Sequence, residues 1–207
     1  EQIRPAERLT IYIEGDGLAA LSRRQRSLDP TPLNPLALKL ALAQPAGNAA
    51  YLARPCQFIK KLNSDCTTQY WTAGRYSEPV VDSTNQAIDQ LKARFKARRL
   101  ILVGFSGGGV VASVIAARRD DVEQLLTVAS NLDHRAWTRH LQLTPLLTSL
   151  NPPDYFDQLQ SIPQQHFVGD QDKVIPVTLL QDYVNRFDDP HNVKLNIQQN
   201  FSHQCCW

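Results

Sequence analysis

Ser106 stands in Gly104-Phe105-Ser106-Gly107-Gly108-Gly109, directly behind the apolar run Leu100-Ile101-Leu102-Val103. A serine hydroxyl is a poor nucleophile near neutrality. It needs a base within hydrogen-bond reach and a third group to orient that base. The chain has five histidines. His134 and His140 lie in an irregular stretch, His166 opens an apolar run, and His191 sits in the turn Asp189-Pro190-His191; packing or a surface position explains each. His203, in Asn200-Phe201-Ser202-His203-Gln204, follows the last apolar run of the chain. Between the serine and this histidine, Asp170 and Asp172 end the segment that begins at His166. Alternate residues of an extended segment face the same side, so periodicity does not choose between the two. Asp170 also suits a plain turn residue. Serine, acid and histidine in this order are the parts of an acyl-transfer site.

The glycines around Ser106 have two other readings. A phosphate loop of the Walker type needs GxxxxGK followed by Ser or Thr, and no lysine follows Gly109. GxGxxG in dinucleotide-binding form is absent as well. A tight structural turn remains the plain alternative to an exposed nucleophile.

The elements that must position these residues follow an α/β rhythm. Short β-rich runs at residues 9–13, 50–53, 100–103, 125–128, 166–168 and 193–197 alternate with helical patterns. Strands that read as near-continuous apolar runs are those of a parallel sheet covered on both faces. The clearest helix starts behind Ser77 as N-cap, with Glu78 and Pro79 in its first turn. Val81, Asn85, Ile88, Leu91 and Phe95 then recur at helical spacing. A second helix is predicted over residues 110–117, straight out of the glycine turn, and a third over 177–187 behind Pro176. Residues 131–162 break the rhythm with more chain than a crossover needs. They read either as an extra helix with a surface loop or as a small lid or pocket wall carrying Trp137.

Composition bounds the function. The chain has 207 residues, 43% hydrophobic and 20% charged, which suits one domain with a layered core. A net charge of +2 does not suggest a nucleic-acid or membrane-surface partner. The apolar runs are too short for a transmembrane segment. No zinc-finger spacing of His and Cys occurs, so no metal site is expected. Cys56 and Cys66 flank a polar loop and are expected to form a disulfide; the state of the adjacent Cys205 and Cys206 is left open. The chain starts at Glu1 and lacks methionine, so it reads as a processed product whose signal peptide has been removed. With this cysteine usage, the expected location is secreted or periplasmic.

Gly-Phe-Ser-Gly-Gly matches G-x-S-x-G with a strand before it and a helix behind it. On this motif, and on the order Ser, Asp, His, the chain resembles the α/β-hydrolase superfamily of serine esterases and lipases, over most of its length. The resemblance implies a single domain of the α/β-hydrolase fold, with a mostly parallel sheet of about six or more strands and helices on both faces. It implies a serine hydrolase of carboxylic esters, with a small-molecule or lipid ester as substrate and no cofactor. A thioesterase or acyltransferase would use the same residues, and a silent binding module is the alternative from another class. Ser106 is the implied nucleophile and His203 the base. Asp172 is the implied acid, because it precedes Val174-Ile175-Pro176 as the superfamily's acid precedes its next helix; Asp133 occupies a place some lipases use instead. The oxyanion donors implied are the N–H groups of Gly107 and Asp16. Many relatives carry His-Gly where this chain has Glu14-Gly15, and the Asp16 carboxylate must turn away from an oxyanion, toward Arg54. Tyr70, Trp71 and Arg75 are candidate pocket residues; the alternative is a loop tacked to the surface by its aromatics.

Overall fold

The structure, a computed structural model, describes residues 7–22, 25–59 and 65–207. The principal sheet is built from β1 (Arg8–Ile13), β4 (Asn48–Leu52), β5 (Arg99–Phe105), β6 (Val122–Val128), β7 (Gln164–Gly169) and β8 (Val193–Gln198). All neighbours are parallel, in the order β4-β1-β5-β6-β7-β8. Each apolar run expected to be a strand is one. A second, two-stranded antiparallel ladder of β2 (Ala20–Ser22) and β3 (Gln25–Arg26) lies outside the sheet. Its strands are too short to leave a periodicity in the sequence.

Parallel strands need crossovers, and here these are helical. On one face lie α2 (Glu78–Phe95), α3 (Gly107–Ala117), α5 (Phe156–Leu159) and α6 (Val177–Val184). Leu9, Ile11, Leu100, Leu102 and Leu125 point into that layer and are fully buried. The opposite face is covered by α1 (Leu36–Ala43), whose Leu36 and Ala37 pack with Phe105, Val128 and Ala129. Trp207 packs against the same cluster. Helices thus lie on both faces, unequally.

Three helix expectations need adjustment. Ser77 takes the N-cap position of α2, but its hydroxyl makes no capping bond. The buried helix begins at Gly107, three residues before Val110. The last expected helix ends at Val184, short of Phe187. Residues 131–162 hold α4 (His134–His140), a 3₁₀ turn at Pro152–Tyr155 and α5. Leu132, Leu146, Leu159 and Ile162 of this segment are buried in the main core.

The strand order sets the place of the site. From β1 the chain goes to β4 on one side, and all later strands lie on the other, starting with β5. The loops leaving β1 and β5 therefore diverge at their carboxyl ends, which opens a crevice there. Ser106 leaves β5, and Glu14-Gly15-Asp16 leaves β1.

Candidate active site

Ser106 sits between β5 and α3 with φ 50° and ψ −124°, a left-handed conformation that a non-glycine residue seldom adopts. The neighbouring glycines permit this turn. A Cβ on Gly104 would collide with the Gly109 backbone, and one on Gly108 with the carbonyls of Ile13 and Glu14. On Gly109 it would strike Ser130 of the adjoining strand end. The turn is thus pressed against both β1 and β6, and the serine side chain is left facing the crevice.

His203 comes from the loop after β8 and Asp172 from the loop after β7. Nε2 of His203 lies 3.2 Å from Ser106 Oγ, and Nδ1 lies 2.8 Å from Asp172 Oδ2. The carboxylate accepts the proton on Nδ1, which leaves Nε2 as acceptor for the serine O–H. Asp172 has no exposed side-chain surface, and its Oδ1 accepts from the backbone N–H groups of Val174 and Ile175, both at 2.8 Å. Each oxygen of the carboxylate is therefore directed. The His203 ring packs on Phe105, with ring centres 5.4 Å apart.

The two rival acids are occupied elsewhere. Asp170 Oδ1 accepts the N–H of Asn200 at 2.7 Å and ties the loops after β7 and β8 together. Asp133 caps α4 by accepting from the N–H groups of Arg135 and Ala136. It also pairs with Arg186 at 3.5 Å.

On the other side of Ser106, the loop after β1 is held by buried polar groups. The Asp16 carboxylate accepts from Arg75 at 2.9 Å, from the Tyr76 hydroxyl at 2.9 Å and from Arg54 at 3.3 Å. Burial alone would raise its pKa, but the two guanidiniums outweigh burial and hold it below the usual carboxylate range. The side chain turns toward Arg54 as expected, and Arg75 and Tyr76 complete the set. A Cβ on Gly107 would run into this carboxylate, so glycine there makes room for Asp16. Gly107 opens α3, where helical N–H groups lack intrahelical partners. Among the described residues, the N–H groups of Gly107 and Asp16 are not engaged by a backbone carbonyl.

Glu14 was legible only as a departure from a pattern. It is buried, and its carboxylate accepts from Gly15 N–H at 2.9 Å and from the Tyr51 hydroxyl at 3.2 Å. Burial raises its pKa, while these bonds and the N–H groups of Ala37 and Leu38 pull against that rise. Glu14 thereby fastens the end of β1 to the start of α1. Tyr76 and Asn131, whose side-chain amide donates to the Tyr76 hydroxyl at 3.2 Å, also escaped the sequence reading. Neither lies in a motif.

A cavity of about 370 Å³ opens over Ser106; Asp16, Arg75, Phe105, Asn131, Trp137 and His203 are among its walls. Of the three residues expected as pocket walls, Arg75 lines it, and Tyr70 and Trp71 do not. Trp71 is buried and donates its indole N–H to the Ser27 carbonyl at 3.0 Å. Tyr70 packs on the main core near Cys56 and Cys66. Those aromatics tack the loop down. Cys56 and Cys66 are disulfide-bonded, with Cα atoms 5.6 Å apart, and Cys205 is bonded to Cys206. Among the described residues, no cluster of His, Cys, Asp and Glu fits a metal ion. No helix is long and apolar enough to cross a membrane among those residues.

No family model matches the chain, and no curated protein does. Solved structures do. An α/β serine hydrolase homologue from Coxiella burnetii is 16% identical over 97% of this chain and 79% of that one, with a TM-score of 0.62. An esterase from Pyrococcus furiosus is 14% identical over 95% and 74%, with a TM-score of 0.63. An α/β serine hydrolase from Xanthomonas campestris, described as without a lid, is 14% identical over 98% and 74%, with a TM-score of 0.53. At such identities the likeness is one of fold.

Proposed function

We propose that this chain, which has the α/β-hydrolase fold, is a serine hydrolase that cleaves carboxylic esters through an acyl-enzyme. The observation that carries the reading is the hydrogen-bonded line Asp172–His203–Ser106, ending on a serine held at φ 50°. Ser106 Oγ attacks the ester carbonyl while His203 Nε2 takes its proton. His203 then gives that proton to the departing alkoxide, which leaves as the alcohol. Water, deprotonated by the same nitrogen, attacks the acyl-enzyme and releases the carboxylic acid. Asp172 keeps the proton on Nδ1 and stabilises the imidazolium that forms. The N–H groups of Gly107 and Asp16 receive the oxyanion, each contributing about 3 kcal/mol in the transition state. Arg54 and Arg75 offset the charge of the Asp16 carboxylate, so the negative side chain does not oppose the negative intermediate.

Residues 131–162 serve in this reading as a fixed pocket wall, through Trp137, because Leu132, Leu146, Leu159 and Ile162 anchor them in the core. The Cys56–Cys66 disulfide supports a secreted or periplasmic location. The test is labelling by a fluorophosphonate with hydrolysis of 4-nitrophenyl esters of graded length. Stoichiometric labelling at Ser106, lost in Ser106→Ala with activity reduced by about 10⁴ or more and the fold intact, is the expected result. A Ser106→Ala protein within a few-fold of wild-type activity would overturn the nucleophile, and an unlabelled wild type would favour a silent module.

A further inference from the structure

The Ser106 cavity has a neighbour. A second cavity of about 500 Å³ shares Ala19, Ala20, Arg75 and Trp137 with it. Trp137 is fixed in this partition by its indole N–H, which donates to the Val174 carbonyl at 2.8 Å. The second cavity is lined by two cations, Arg75 and Arg26, and by no carboxylate among the described residues. Arg26 lies on the short strand β3 and is exposed.

The charge around Arg75 is unbalanced. Asp16 is one carboxylate facing two guanidiniums, which leaves one positive charge in excess. Arg54 is the inner cation, with 4% of its side chain accessible, whereas Arg75 keeps 18% and reaches both cavities. Among the described residues Glu14 forms no ion pair with either guanidinium; its carboxylate accepts from the Gly15 N–H and the Tyr51 hydroxyl instead. Arg75 is also held in place. Its Nε donates to the Thr72 carbonyl at 2.8 Å, its Nη1 to Asp16, and its own carbonyl accepts from Arg54. A guanidinium held this way needs little ordering to bind an anion, and it acts in a partly desolvated place where charge pairing is strong.

We propose that the second cavity is a subsite for a compact anionic group, carboxylate or phosphate, carried by the ester substrate. The preferred substrates are then anionic esters, with the ester at Ser106 and the anion between Arg75 and Arg26. Arg75 has Nη2 left to donate, since its Nε and Nη1 are engaged by Thr72 and Asp16, and the guanidinium fork of the exposed Arg26 matches both kinds of anion. This inference rests on the ester-hydrolase reading of Ser106.

The test compares 4-nitrophenyl hemi-esters of dicarboxylic acids, from succinate to suberate, with neutral 4-nitrophenyl esters of equal chain length. For the best-fitting length, kcat/KM of the hemi-ester should exceed that of its neutral counterpart by about tenfold. Arg26→Gln should reduce that ratio by about threefold or more, as should high salt. Arg26 is the residue to change because it is exposed; Arg75 also supports Asp16, and its loss can disturb the fold. Calorimetric titration of the Ser106→Ala protein with glutarate and with inorganic phosphate supplies a readout that needs no turnover. Binding of either, weakened by Arg26→Gln, supports the subsite, and the tighter of the two names the anion. Neutral esters preferred at every length, or a ratio indifferent to Arg26→Gln in a protein still labelled at Ser106, overturn the subsite and leave the hydrolase reading standing. No labelling and no hydrolysis overturn the hydrolase reading instead, and titration without binding of either anion then overturns the subsite too.

Discussion

Three aspartates compete for the role of orienting His203, and their hydrogen bonds separate them. Asp172 spends one oxygen on two backbone N–H groups and the other on His203 Nδ1. Asp170 and Asp133 spend theirs on a loop junction and a helix cap. Asp172→Asn should keep the geometry but favour the wrong imidazole tautomer, and should lower turnover by about 10⁴. Asp170→Asn weakens one bond between two loops and should cost about 1 kcal/mol of stability with a modest change in turnover. Steady-state kinetics and urea unfolding of the two variants check this. A larger loss of turnover in Asp170→Asn, or in Asp133→Asn, would transfer the role to that residue.

The elements around the crevice are tied to one another by loops, and the disulfide-bonded loop after β4 is one such tie. Gln57, next to Cys56, donates its side-chain amide to the Gly15 carbonyl at 3.0 Å, and its Oε1 accepts the Arg54 N–H. The stretch that offers the Asp16 N–H is therefore braced from the loop behind β4. Cys56 and Cys66 close that loop over a separation of 10 residues. Replacing both by serine should lower stability by roughly 2–3 kcal/mol in the chain-entropy account. Denaturant titration measures the loss, and an unchanged midpoint would show that the loop needs no staple. The last residues brace the histidine side similarly: the Trp207 indole N–H donates to the carbonyls of Ser202 and His203 at 3.1 and 3.3 Å.

Over the whole molecule, acid should loosen the fold through histidines that have no place at Ser106. His166 is completely buried between β6 and α6, with Nδ1 2.8 Å from the Thr127 hydroxyl, and its ring meets Tyr183 edge-on. Burial drives its pKa down to about 3. His134, buried at the start of α4, is lowered for the same leading reason. In the unfolded chain such histidines titrate near ~6.5 and take up protons that the folded chain refuses. Their neutral burial is therefore without penalty above that pH, and stability falls as pH drops toward about 3. For His166 alone the loss should reach about 2 kcal/mol by about pH 5. Urea unfolding at about pH 7 and pH 5 tests this, with His166→Gln expected to flatten the difference. An equal slope in that variant would assign the acid sensitivity to other groups.

The sequence by itself pointed to the sheet, because parallel strands buried on two faces leave short apolar runs, and the helical patterns between them complete an α/β rhythm. It also singled out Ser106, through glycines two before and two after it between a strand run and a helical pattern, and His203, by its place behind the last strand, where the α/β-hydrolase resemblance puts the base. It left α1 unread, because Leu36–Ala43 is apolar at every position but Lys39 and gives no stripe to follow. Which aspartate meets His203 was beyond periodicity, and was decided by the loops after β7 and β8 lying side by side. The same holds for the buried group of Asp16, Arg54, Arg75 and Tyr76, whose members stand up to 60 residues apart. Local propensity carries no record of such pairings. Only the reversal of strand order beside β1 brings those residues to one crevice, and only burial there makes their charges matter to Ser106.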